Sequence, residues 1–239
     1  MVEDNKHLNK KCFIIGGGES IKRLVDDGLN LPKLFSKEIT IGTNKSYLLG
    51  KSTYHVAMDY DYFSKDKENL IKQNLYVSDN IHIHEKKLNS IKRLGRTKII
   101  SKSIEEGLYY GKSTGYFAMN LANVLGCNPI YLLGIDLIGL HFHEGYGANK
   151  DLQLPREHKV IENELRAGIK YLTGELGIEV ISLSDCSRLN NIIPYDPSVL
   201  VAYGYDSIKK MKTSIGVTWK DDNIEGECST GTSPVASRR

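Results

Sequence analysis

Short apolar runs rich in β-branched residues alternate along the chain with stretches whose apolar positions recur every three or four residues. The runs CFIIG (12–16), EITIGT (38–43), YHVAMD (54–59), PIYLLGID (129–136) and IEVISLS (178–184) predict strands. ESIKRLVDDGL (19–29), STGYFAMNLANVLG (113–126) and EHKVIENELRAGIKYLTGELG (157–177) predict helices, and NKSYLLG (44–50) a short one. NIHIHE (80–85) and TKIIS (97–101) have the length and composition of short strands. In the helix over 113–126, Ser113 or Thr114 stands at the N-cap and Gly126 at the stop.

Strands separated by helices predict an α/β, Rossmann-like fold: a mostly parallel sheet with helices on both faces and a small lid or insertion. Residues 1–205 make one such domain. Within it the charged, weakly periodic stretch 60–112 is expected as an insertion or an uneven helical region. Residues 206–239 are polar and rich in Gly, Ser and Thr, and are expected as a disordered tail.

Composition narrows the class. The chain has 239 residues, 40% hydrophobic and 26% charged, the balance of a globular domain with its own core. A net charge of +3 suits anionic ligands but is too small to indicate nucleic acid. Cys12, Cys127, Cys186 and Cys228 lie far apart, without a CxxC pair, so they predict neither zinc nor a disulfide framework. The opening MVEDNKHLNKK lacks the apolar centre of a signal peptide, and no run has the length of a membrane span. A cytoplasmic location is the expectation.

In open parallel sheets ligands bind beyond the carboxyl ends of the strands, at the point where strand order reverses. The residues after each predicted strand are therefore the candidates. Gly16-Gly17-Gly18-Glu19-Ser20 lets backbone approach a phosphate at a helix start, or simply turns the chain. It is neither a Walker A loop nor a GxGxxG fingerprint. Asn44 is a nucleotide contact or a helix cap. Asp59-Tyr60-Asp61-Tyr62 would hold a sugar or a metal, or form a solvated loop. Ser113-Thr114-Gly115 makes a second anion-friendly helix start or a plain cap. Asp136, followed by His141, His143 and Glu144, combines an acid at a strand end with an HxH pair that can bind phosphate or metal or act as a base. His158, at a predicted helix start that favours a neutral imidazole, is a candidate general base or a surface histidine.

Taken in order, these pieces resemble bacterial family 42 sialyltransferases. STGYFAMNLANVLGCNPIYLLGIDL resembles the segment in which a Ser/Thr-Gly helix leads into an IYLxGID strand. The glycine loop with Ser20 resembles the family's first turn, N-G-P-S, and GTNKSY its C-N-x-x-Y. HKVIENELRAGIKYLTGELGIEVISLS resembles its histidine-led helix and closing strand. The same core occurs in motility-associated glycosyltransferases and in the 6-hydroxymethylpterin diphosphokinase-like family. The likeness spans about residues 11–190.

The resemblance implies a nucleotide-binding transferase domain. Its activity would be a glycosyltransferase taking a nucleotide-activated sugar, CMP-linked and sialic-acid-like, to an unknown acceptor hydroxyl, with no cofactor. The alternatives are a diphosphokinase, with Mg²⁺ on Asp59, Asp61 and Asp136, and a non-catalytic nucleotide-binding module. The family's nucleotide contacts fall on Gly18, Ser20, Asn44, Ser113, Thr114 and Gly115, and its catalytic histidine on His158. Two departures stand out. Gly17 and Glu19 replace the family's Asn and Pro. Its two donor-phosphate tyrosines fall on Ile138 and near Glu144–Tyr146, so His141, His143 or Tyr146 takes that work or the donor differs.

Overall fold

The computed structural model describes residues 2–82, 89–94, 100–138, 141–143 and 155–206, with backbone alone at 82 and 155–158. Seven of its strands form one sheet in the order β5-β4-β3-β2-β1-β8-β9, and every pairing is parallel. The strands are β1 (Cys12–Ile15), β2 (Ile39–Thr43), β3 (Tyr54–Ala57), β4 (Leu75–Ser78), β5 (Asn89–Ile91), β8 (Ile130–Leu133) and β9 (Val180–Ser182). A separate pair joins β6 (Arg93–Leu94) to β7 (Leu108–Tyr109). The expected α/β, Rossmann-like class is the observed one.

The apolar runs follow from burial on both faces. Cys12 and Ile14 of β1 point into a core shared with α5 (Thr114–Val124) and α6 (Pro155–Gly174). Phe13 and Ile15 point the other way, into a core with α1 (Ser20–Asp26) and α2 (Leu31–Lys37). A third cluster, around Ala57, Phe63 and Val77, packs α3 (Tyr60–Leu70) on the same face as α1 and α2. Each fully buried Ile, Val or Phe among them contributes about 1.5–3 kcal/mol.

The helices carry their own punctuation. Ser113 caps α5, its Oγ accepting from the Tyr116 N–H at 3.1 Å, and Gly126 leaves the helix at φ +78°. On α6, Leu165, Ile169 and Leu172 form the buried stripe. That helix ends at Gly174 rather than at the expected 177.

Two expectations need correction. The stretch 60–112 supplies α3, β4, α4 (Asp79–His82) and β5, and both strands extend the main sheet at one edge. The part of NIHIHE that is described, through His82, is helical rather than extended, because Asp79 opens a turn directly after β4. The remainder of that run, Thr97–Ile99 of TKIIS, Glu144, Tyr146, Cys228 and the tail from 207 lie outside the described residues. Cys12, Cys127 and Cys186 are buried and not in disulfides. Among the described residues, no helix is long and apolar enough to cross a membrane.

Candidate active site

Strand order reverses between β1 and β8, where the chain leaves the sheet in opposite directions. Two loops meet there. The Gly16 N–H donates to the Leu133 carbonyl and the Gly18 N–H to the Gly134 carbonyl, each at 2.8 Å. Gly134 itself is left-handed, at φ +70°. A Cβ on Gly18 would collide with the Asp136 carboxylate, and one on Gly16 with the Gly134 carbonyl. These two glycines are therefore required by loop-on-loop packing, whatever ligand they meet.

Ser20 and Asp136 answer each other. The Ser20 N–H donates to Asp136 Oδ2 at 2.8 Å and its Oγ to Oδ1 at 2.7 Å, with the residues 1% and 2% exposed. The Asp136 carboxylate thus sits at the start of α1, the place the sequence offered to a ligand phosphate.

The histidine pair lies against the same turn. His141 makes an antiparallel bridge with Gly18, and the Phe142 N–H donates to the Gly17 carbonyl at 3.0 Å. His141 Nδ1 is 3.2 Å from that carbonyl. The two imidazoles stack with centroids 5.0 Å apart and planes 9° apart. Gly17 presents its bare side to them: a Cβ there would stand 3.2 Å from His141 Nδ1 and 3.5 Å from His143 Nε2.

The flanks close around this centre. Ile135 lies between Gly16 and Gly115, and a Cβ on Gly115 would meet it at an ordinary 3.5 Å. Thr114 is buried beside it. On the other side Thr43 Oγ1 donates to the Ile15 carbonyl at 3.1 Å, setting Asn44 beside the end of β1. Asn44 adopts φ +48°. Asp59 follows β3, two strands and about 10 Å further along the edge; it is exposed at the N-cap position of α3, without a side-chain cap bond to that helix. Asp61 is exposed on the first turn of α3, so the expected trio of Asp59, Asp61 and Asp136 is not brought together. Among the described residues no three of His, Cys, Asp and Glu converge as a metal-binding group.

His158 lies in the first turn of α6. The crossover from β8 to the parallel β9 passes through this helix, so its start belongs to the carboxyl edge. A network centred on the buried Glu162 ties the helix down. Arg166 Nε donates to Glu162 Oε1 at 2.8 Å and its Nη2 to the Arg188 carbonyl at 2.8 Å. Arg188 Nη1 lies 3.6 Å from Glu162 Oε2, while the Arg188 N–H donates to the Asp136 carbonyl at 3.1 Å. Ser187 Oγ reaches the Ile135 carbonyl at 2.7 Å. The i,i+4 spacing of Glu162 and Arg166 was the one visible signal.

His55 lies inside β3. It is fully buried, and burial pushes its imidazole down to about 4. The fold therefore resists a proton that the unfolded chain accepts below about pH 6.5. The stability this contributes is complete above pH 6.5 and is lost as pH falls to about 4, a decline of roughly 3 kcal/mol. Urea unfolding across that range should show the decline in the wild type, and His55→Gln should remove that share of it.

No family model matches the sequence, and no curated protein matches it. Solved structures do. The sialyltransferase CstII from Campylobacter jejuni, solved with the substrate analogue CMP-3FNeuAc, is 17% identical; the match covers 80% of this chain and 87% of that one, with TM-score 0.51. The α-2,3-sialyltransferase Cst-I from the same organism is 17% identical, with 78% and 80% covered and TM-score 0.50. The MAf glycosyltransferase from Magnetospirillum magneticum AMB-1 is 14% identical, with 88% of this chain and 37% of that one covered and TM-score 0.52. At these identities the likeness is one of fold.

Proposed function

We propose that the protein is a glycosyltransferase that moves a CMP-linked, sialic-acid-like sugar to an acceptor hydroxyl. The observation that carries this reading is the seating of His141 and His143 over Gly17 at the switch point. It stands in a fold shared with CstII, whose structure has been determined with CMP-3FNeuAc and also with CMP and a trisaccharide acceptor.

In this reaction the bond from the anomeric carbon to the donor phosphate breaks, and CMP leaves with the electron pair. The acceptor oxygen bonds to that carbon, and its proton passes to His158 as general base. The transition state has oxocarbenium character. Charge developing on the departing phosphate meets the imidazoles of His141 and His143. Asn44, Ser113, Thr114 and Gly115 hold the nucleotide, and Gly115 leaves room for it beside Ile135.

The test is thermal unfolding with CMP, UDP, GDP and ATP, each with and without Mg²⁺. CMP at about 100 times its dissociation constant should stabilise the fold by roughly 2.7 kcal/mol, without Mg²⁺. Stabilisation by ATP with Mg²⁺, and none by CMP, would overturn the reading in favour of a diphosphokinase.

A further inference from the structure

The sheet face toward α1, α2 and α3 is apolar at β1 and again at β3 and β4, but a polar seam runs between these patches. In the β2–β3 pairing Gly42 lies opposite His55. The missing side chain at Gly42 opens a small space that three polar atoms enter. A Cβ there would collide with Ser52 Oγ and stand 2.6 Å from His55 Nδ1 and 2.8 Å from Ser46 Oγ. All three atoms are buried and make no hydrogen bond in this structure. Buried polar atoms are seldom left so. A water with these three partners would satisfy an Nδ1 that accepts.

The other end of the ring fixes which nitrogen accepts. His55 Nε2 lies 2.8 Å from the Asn44 carbonyl, which can only accept, so Nε2 carries the hydrogen. Asn44 is held at φ +48°, a region non-glycine residues rarely enter, in the turn directly after Thr43. Asn44 thus leaves β2 in an uncommon conformation, and its carbonyl is fastened from inside the protein.

We propose that His55, buried beside Ser46 and Ser52, is a positioning residue: its Nε2–H holds the Asn44 carbonyl and so the turn that presents Asn44 to the nucleotide. This rests on Asn44 being a nucleotide contact, as in the function proposed above. The depressed proton affinity of His55 keeps the ring neutral at physiological pH, as a ring accepting at Nδ1 must be.

The distinguishing variants are His55→Gln and His55→Asn. A glutamine amide nitrogen reaches the Nε2 position, whereas an asparagine amide reaches only Nδ1. Calorimetric titration with CMP should give near wild-type affinity for His55→Gln and a loss of about tenfold for His55→Asn, the effect of one hydrogen bond. Turnover at saturating donor should change little. Equal affinities for His55→Asn and wild type would overturn the proposal. If the wild type itself fails to bind CMP, the nucleotide reading of the site fails, and with it the role of His55 toward a ligand. Nitrogen-15 spectra of the ligand-free wild type decide the clamp independently: a neutral Nε2–H tautomer is expected, and an Nδ1–H tautomer overturns it even if His55→Asn does not fold.

Discussion

Replacing His158 with alanine is expected to slow transfer by ~10²–10⁴-fold, the usual contribution of a general base, with little change in donor affinity. The expectation rests on where the chain puts α6. Because β8 and β9 are parallel neighbours, the helix between them must begin at the carboxyl edge of the sheet, where Gly17, His141 and His143 meet. One turn after His158, Glu162 is buried and bonded to Arg166, which also holds the Arg188 carbonyl. The start of the helix is thereby fixed relative to the loop after β8. A base acts on the acceptor, so its loss should appear in kcat. His143→Ala should instead impair leaving-group departure or donor binding, and its defect should shrink with a donor that bears a better leaving group. Full activity in His158→Ala, together with none in His143→Ala at any pH, would reverse the two roles.

Gly18→Val is expected to destabilise the fold by ~1–3 kcal/mol, the range for overfilling a packed site. Gly18 and Gly115 look equivalent in the sequence, as small residues at helix starts. They differ in what surrounds them. The space beside Gly18 is taken by the Asp136 carboxylate, which is held by both the N–H and the hydroxyl of Ser20. Valine would displace that carboxylate and leave two buried donors without their acceptor, adding to the steric cost. Beside Gly115 a Cβ finds ordinary contact distance. Gly115→Ala should therefore keep or slightly raise stability, as Ala does in a helix, while weakening CMP binding. Urea unfolding of the two variants checks the contrast. A Gly18→Val protein as stable as wild type would mean that the Asp136 seat is not the reason for the glycine.

What could be read in advance follows the physics of each segment. The central strands β1 and β8 were plain because burial on both faces makes them continuously apolar. The helices α5 and α6 were plain because one carries a cap and a glycine stop and the other a regular apolar stripe. Strand β4 and the edge strand β5 were hidden, since LYVS lies between charged, weakly periodic segments and NSI carries a single apolar residue. The histidine pair stood out as titratable residues after an apolar strand. Its seat on Gly17, 124 positions away, is a tertiary fact no local pattern encodes. Ser20 and Asp136 each follow an apolar strand and so stand out in the sequence, but that they bond to each other is visible only in the structure. His55 was concealed by its apolar neighbours in YHVAMD, although a histidine in a buried strand is itself a signal that a polar partner is near.

The central claim, that this switch-point site activates a CMP-linked sugar, is tested most directly by following CMP release. Purified protein would be incubated with a CMP-activated sialic-acid-like donor and, in parallel, with a UDP-activated hexose. The account predicts release of CMP from the first, dependent on His158, and no release of UDP from the second. Release of UDP alone, or CMP release that persists unchanged in His158→Ala, would contradict it.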